Sequence, residues 1–322
     1  MTTNPGLTVV VLTYNSQATI GPCLQSLVQQ HHSDFDVIVV DDDSADDTLE
    51  IVSRYSSALR LSVVRNGSHR ISRGRNIGIC QSRSQLVAFL DSDDCAHRDW
   101  TQIITATFAQ HPDLALISGH LVPAYRTSVA HAIALNDGLV RRLFAGPTSF
   151  WAGNCAINRA VLVDAYFDED FRFAEDLELE SRVRRRYSCQ QVSEMKIYHY
   201  SRESFLEYAA QMYRYGFMKQ HFAFTSRSYR WVDFVPLALM LSSIGAAIAF
   251  RAWWPLLLIL PFSLLESIFV IAHERCPILI AALTFPAWLV KNIFWSSGVL
   301  WGLISLAVDH RTRQLLRSKR TV

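Results

Sequence analysis

Residues 8–13 (TVVVLT) form an apolar, β-branched run with no polar face, the pattern of a strand covered on both sides. The pattern returns at residues 36–41 (DVIVVD), 60–65 (RLSVVR) and 86–91 (LVAFLD). Residues 18–30 and 45–56 lie between these runs and carry helical patterning. Strand and helix alternating at this spacing predict βαβ units, an α/β class and a Rossmann-like, mostly parallel sheet. Ligands of such sheets bind beyond the carboxyl ends of the strands. Three strand ends therefore matter: Tyr14-Asn15-Ser16, Asp41-Asp42-Asp43-Ser44 and Asp91-Ser92-Asp93-Asp94.

Helix capping accounts for one polar residue at Asp41–Ser44 but not for three consecutive aspartates, which repel unless cations or N–H donors face them. Asp91-x-Asp93 places two carboxylates on one side of an extended chain. Oxygen ligands of this kind suit Mg2+ or Mn2+ holding a diphosphate. No GxGxxG follows the first strand and no GxxxxGK[ST] occurs, which argues against a dinucleotide-binding dehydrogenase and excludes a P-loop.

VVVLTYNS, VVDDDSADDT, SRGRNIGI and VAFLDSDD stand in this order, followed by WAGNCAINR, Phe167-Asp168-Glu169 and Ala174-Glu175-Asp176-Leu177-Glu178. Together they resemble the family 2 glycosyltransferases of GT-A fold over about residues 7–222. One departure is Asp43, where the family usually has glycine. The resemblance implies sugar transfer from a UDP- or GDP-linked donor with inversion at the anomeric carbon. It assigns Thr13, Tyr14, Asn15, Asp41 and above all Asp42 to the nucleotide, with Arg75 and Asn76 lining the same pocket. Arg73 and Arg83 read as the solvated face of a helix. Asp93 is assigned to the metal, Asp91 to ribose or metal, and Asp94 to orienting its neighbours. Of the acidic pair Glu175-Asp176, Asp176 is the expected general base. His199 reads either as a third metal or phosphate contact or as a packed residue. Gln211-Met-Tyr-Arg214-Tyr215 resembles the QxxRW motif of processive synthases, with Gln211 and Arg214 expected on one helix face. Those two, Tyr215 and Trp151 are candidates for acceptor or phosphate contacts. A helix over residues 205–222 lying at a membrane surface is the alternative for that segment.

The rest of the chain has another character. Half of all residues are hydrophobic and 19% charged, below the roughly 25% usual in soluble domains. The deficit is local. Residues 231–309 hold only Arg251, Arg275, Lys291, Asp233, Glu266, Glu274 and Asp309 as charges, with six of the eight tryptophans. Residues 232–250 and 252–272 are apolar runs long enough for a bilayer core of ~30 Å, with Trp231, Trp253 and Trp254 at their ends. Residues 277–308 are apolar again, interrupted by Lys291-Asn292, and fit one long helix, two short ones or a re-entrant segment. Arg227 and Arg230 precede the runs, and Arg311, Arg313, Arg317, Lys319 and Arg320 follow, which predicts both flanks in the cytosol and an even number of crossings. The expected organisation is a cytosolic GT-A domain over 1–230 (nucleotide 7–120, acceptor and catalysis 121–230), membrane helices over 231–309 and a basic tail over 310–322. The N-terminus carries no leader pattern, and the six cysteines form no CxxC pair, so neither a zinc site nor a redox motif is supported. A net charge of +2 argues against nucleic acid as partner.

The sequence thus predicts a multi-pass cell-membrane enzyme that moves one sugar to a lipid-linked (polyprenyl) glycan with Mg2+ or Mn2+. A bare polyprenyl phosphate acceptor is the nearest alternative, and a non-catalytic membrane scaffold the alternative of another class.

Overall fold

The computed structural model describes residues 6–144, 150–161, 166–171, 175–226, 231–251, 253, 257–274 and 276–308. The four apolar runs are strands β1 (Leu7–Thr13), β2 (Phe35–Asp41), β3 (Leu61–Arg65) and β4 (Leu86–Asp91). They alternate with α1 (Ile20–Val28), α2 (Thr48–Ser53) and α3 (Ile71–Gln81). After β4 come β5 (Asp94–Ala96), α4 (Trp100–Gln110), β6 (Leu114–Ala124), α5 (Ser128–Phe144), β7 (Asn154–Asn158), α6 (Glu175–Arg184) and β8 (Ser188–Tyr200). The chain ends in α7 (Phe205–Ser226), α8 (Val235–Ala249), α9 (Ile259–His273) and α10 (Ile278–Val308).

One sheet runs in the order β3-β2-β1-β4-β7-β6-β8-β5. The expectation of a mostly parallel sheet holds for β3-β2-β1-β4. It fails beyond them, where β4–β7, β6–β7 and β5–β8 pair antiparallel. The sequence carries the reason: β8 alternates exposed with covered positions over much of its length, as an antiparallel strand with one wet face does, whereas β1 and β4 are mostly apolar and covered over nearly their whole length. Side-chain alternation divides each parallel strand between two cores. Val9, Val11, Val37, Val39, Ala88 and Leu90 pack on one face of the sheet. Val10, Ile38, Val40, Val87 and Phe89 pack on the other.

The chain divides into two compact units, but not at residue 230. The first takes 1–123 and 146–200, and the second 124–145 and 201–322. Helix α5 thus leaves the sheet unit and joins α7 to α10. Ile133, Tyr208, Met212 and Ala287 form their shared core. Asn136 donates to the Thr284 carbonyl at 3.3 Å, and Asp137 accepts from Tyr208 at 2.8 Å and from Lys291 at 3.3 Å. Helices α7 and α10 cross so closely that a Cβ on Gly298 would collide with the Tyr213 carbonyl. Gly302, one turn on, repeats the small residue, a spacing that lets helix backbones approach. Gly298→Leu should therefore lower the melting temperature in detergent, by the equivalent of about 1–3 kcal/mol of overpacking. An unchanged melting curve would contradict this crossing.

Helix α10 is the one described helix long and apolar enough to cross a membrane, over Ile278–Ala307. Of the three forms open to residues 277–308, it takes one continuous helix. Lys291 and Asn292 do not break it because both are satisfied inside the unit, Lys291 by Asp137 and Asn292 by Glu266 at 2.6 Å and Ser263 at 3.1 Å. The two earlier runs give shorter helices than their apolar lengths suggest. Residues 231–234 form a 3-10 turn before α8, and α9 starts only at Ile259. Each has 15 residues, roughly 22 Å at 1.5 Å per residue, short of a ~30 Å core. The flanking cations Arg227 and Arg230, Trp254 and the tail over 310–322 lie outside the described residues.

Candidate active site

The carboxyl ends of β1, β2 and β4 are joined by short side-chain bonds. Asp41 is buried and accepts from the Ser44 N–H at 3.0 Å and the Ser44 hydroxyl at 2.6 Å. Ser44 Oγ in turn accepts from the Asn15 N–H at 2.9 Å, and Asn15 Oδ1 accepts from the Ala45 N–H at 2.8 Å. Ser16 Oγ lies 2.9 Å from Ser92 Oγ, and the Ser16 N–H donates to Thr48 Oγ1 at 2.7 Å. Asn15 and Asp41, both expected at the nucleotide, are thus occupied in fixing the loops that would surround it. Thr13 is buried, and its hydroxyl has no partner among the described residues. Asp43 explains the departure from glycine: it takes the left-handed conformation, φ 63°, and pairs with Arg65. Aspartate tolerates that region better than most residues.

Asp42 and Tyr14 stand together at this end, with Tyr14 53% exposed. Asp42 Oδ1 accepts from the N–H groups of Ser68 and His69 at 3.1 and 2.9 Å. Arg75 and Asn76 are engaged elsewhere. Buried Arg75 pairs with Glu175 and, at 3.4 Å, with Asp91. Its burial opposes the charge, but Glu175 and Asp91 outweigh that and hold its pKa above the usual value. Asn76 bridges the Phe167 backbone, accepting from its N–H at 2.8 Å and donating to its carbonyl at 2.9 Å, and also donates to Glu169.

The aspartates after β4 separate. β4 ends at Asp91, Ser92 and Asp93 turn, and Asp94 begins β5 opposite His199 of β8. His199 Nδ1 lies 2.6 Å from Asp94 Oδ1. Asp93, Asp94 and His199 can bring one ligand atom each within 4.8 Å of one another. Asp91 is not in this group, since the turn breaks the alternation that would have set it beside Asp93. Asp94 takes its place, a residue expected only to orient its neighbours. Asp94 is fully buried, and its Oδ2 has no partner among the described residues. That orphaned oxygen, with a carboxylate and an imidazole beside it, fits a divalent cation; an oxygen and nitrogen donor set of this kind suits Mn2+ well. Burial pushes the Asp94 carboxyl up to about 7 against the pull of His199. Burial also raises Asp91, opposed by Arg75 and helped by Asp93.

Trp151 meets His199 edge-on, with centroids 5.5 Å apart, and its indole N–H is buried without an acceptor. Gly153 lets the chain pass here: a Cβ would collide with Asp91 Oδ2. Glu175 and Asp176 open α6. Glu175 is buried against Arg75, whereas Asp176 accepts only from the adjacent Leu177 N–H among the described bonds, at 2.8 Å. Desolvation first and Glu175 second push the Asp176 carboxyl up to about 7. A carboxylate so poised suits proton transfer near neutral pH. Gln211, Arg214 and Tyr215 belong to α7 of the second unit. Gln211 and Arg214 do not share an environment: Gln211 is buried and Arg214 exposed, and Gln211 donates to the Tyr215 hydroxyl at 3.3 Å.

Residues 8–167, about half of the chain, match the model of Glycosyl transferase family 2. The poly(ribitol-phosphate) β-N-acetylglucosaminyltransferase TarS of Staphylococcus aureus is 32% identical over 183 residues, covering 52% of this chain and 30% of the relative. The hyaluronan synthase of Pasteurella multocida is 31% identical over 115 residues, covering 35% of this chain and 12% of the relative. These matches thus span a third or less of the relatives' own lengths. Among solved structures, the mannosyltransferase PcManGT of Pyrobaculum calidifontis, in complex with GDP-Man and Mn2+, has a TM-score of 0.63 at 19% identity, covering 94% of this chain and 88% of that one. TarS residues 1–349 with UDP-GlcNAc give 0.51 at 21% identity, covering 89% and 91%. The matched strands and the strand-end carboxylates lead to one conclusion: the chain belongs to glycosyltransferase family 2 and carries the GT-A fold.

Proposed function

We propose that the chain transfers one sugar from a UDP- or GDP-linked donor to a lipid-linked glycan at the cell membrane, with inversion. The observation that carries this reading is Arg75. It joins Asp91, at the end of β4, to Glu175, the neighbour of Asp176, and so links the diphosphate side of the site to its candidate base. Tyr14 and Asp42 bind the nucleobase, and Asp91 reaches the ribose. Asp93, Asp94 and His199 would hold Mn2+ or Mg2+, which would supply positive charge to the departing diphosphate. Asp176 takes the proton of the acceptor hydroxyl. The freed oxygen bonds to the anomeric carbon from the face opposite the diphosphate, and the C–O bond to the phosphate breaks with its electron pair. Glu175, neutralised by Arg75, is not free to act as that base.

The GDP-Man, Mn2+ and UDP-GlcNAc complexes of the fold relatives support the donor and metal classes. The apolar helix α10 supports membrane attachment, the shorter apolar helices α8 and α9 add apolar surface beside it, and the basic flanks of the sequence support a cytosolic active site. Mass spectrometry of lipid extracts labelled with UDP-GlcNAc or GDP-Man tests the acceptor. A labelled lipid-linked glycan is the expected product, and label only on water-soluble acceptors would overturn the reading. The protein should also stay in the pellet after an alkaline carbonate wash of membranes. Protease on the cytosolic side of sealed vesicles should digest residues 1–123, and their protection would refute the orientation.

A further inference from the structure

Segment 66–70 joins β3 to α3 and holds itself in an uncommon shape. Gly67 and His69 are both left-handed, with φ of 59° and 51°. Asn66 Nδ2 donates to the Arg70 carbonyl at 3.0 Å, and Ser68 Oγ donates to Asn66 Oδ1 at 2.7 Å. The consecutive N–H groups of Ser68 and His69 converge on Asp42 Oδ1. A histidine held at positive φ is a local cost that persists where surrounding bonds over-determine it, and such residues gather at ligand clamps.

The result of that turn is specific. The His69 ring is carried to Tyr14, with centroids 5.4 Å apart and planes at 72°. Its Nδ1 comes to 3.4 Å from Asp42 Oδ2. The His69 side chain is 63% exposed and that of Asp42 only 17%. Two open aromatic rings thus meet at nearly a right angle over a mostly covered carboxylate, and one oxygen of that carboxylate already has its donors. A flat ring with an N–H on its edge fits this corner. Its face lies on Tyr14, its N–H turns to Asp42 Oδ2, and its rim meets His69.

We infer that His69 is a specificity-determining contact for the donor's nucleobase, a uracil or guanine bearing an N–H beside a carbonyl. The inference rests on the reading of Tyr14 and Asp42 as the base pocket. Asp42 alone would fix one edge atom of the base, and Tyr14 alone would accept any base on its face. His69 closes the third side, so that affinity depends on the base and not only on the diphosphate.

Isothermal titration of the full-length protein in detergent tests this with UDP, GDP and inorganic pyrophosphate, each with Mn2+. His69→Gly keeps the left-handed backbone and its N–H while removing the ring, and His69→Asn tolerates the same backbone. Both should weaken the nucleotide that the wild type prefers about tenfold, in the range of base–aromatic contacts, and leave pyrophosphate unchanged. Wild-type nucleotide affinity in both variants, with affinity lost in Tyr14→Ala, would overturn the role of His69 alone. Wild-type affinity in Tyr14→Ala and Asp42→Asn as well would overturn the pocket itself. Equal loss of nucleotide and pyrophosphate would make His69 a fold residue and overturn the inference too.

Discussion

Asp93→Ala should abolish transfer and weaken nucleotide-diphosphate binding, and EDTA should do the same to the wild type until Mn2+ or Mg2+ is returned. This is the largest effect expected of any single side chain here. Asp93 belongs to the only group of three candidate metal ligands among the described residues, with Asp94 and His199. With one of three candidate ligands removed, a buried carboxylate and an imidazole would have no cation between them, and the charge of the leaving diphosphate would go unscreened. Transfer in the presence and absence of added Mn2+, with direct Mn2+ binding by electron paramagnetic resonance, checks it. Full activity after dialysis against EDTA would remove the metal from the mechanism.

Asp176→Asn should cost at least ~100-fold in turnover while donor affinity stays near wild type, since general-base catalysis contributes 10²–10⁴. The wild-type rate should fall as pH drops below about 7, where the Asp176 carboxyl takes its proton. The same shift has a consequence for stability. A carboxyl whose pKa is higher in the folded chain than in the unfolded one favours folding below the unfolded value near 4, and that contribution is lost as pH rises through 7. Asp176→Asn should therefore melt higher than wild type at pH 8, by less at pH 5, and about equally only below the unfolded value near 4. Normal turnover in Asp176→Asn together with a dead Glu175→Gln would reverse the two roles.

Much of the first unit was legible in sequence because its signals are local. The runs ending at Thr13, Asp41, Arg65 and Asp91 are strands bounded as read, to within a residue at their starts, since apolar runs before polar strand ends have few other uses. The sequence offers Asp93 and His199 together as metal ligands in one of the two readings of His199, but it pairs them with Asp91 where the structure has Asp94. The exchange depends on a turn at Ser92-Asp93 that shifts the register by one and brings Asp94 to His199 from 105 residues away. The consecutive acidic residues at 93 and 94 were the available hint. Arg75 read as a pocket residue because nothing near it in sequence shows that Glu175 is its partner, 100 positions on. The compact units do not follow the boundary that composition draws, for a related reason. Composition changes near residue 230, but helix packing does not follow composition, and residues 124–145 are separated in sequence from the apolar region with which α5 packs.

That placement of α5 has a consequence in time. Asn136 and Asp137 find their partners Thr284 and Lys291 148 and 154 residues later. At a synthesis rate of ~5–20 residues per second, α5 waits roughly ten to thirty seconds on the ribosome for the helix that covers it. Strands β7 and β8 emerge meanwhile and can complete the sheet, and α7 brings Tyr208 and Met212 to Ile133, so the nascent chain holds a nearly finished catalytic core with α5 still lacking its α10 partners. The last thirty residues of the apolar region are then the step that commits the enzyme, and a chain released before Lys291 leaves α5 open to any other apolar surface it meets.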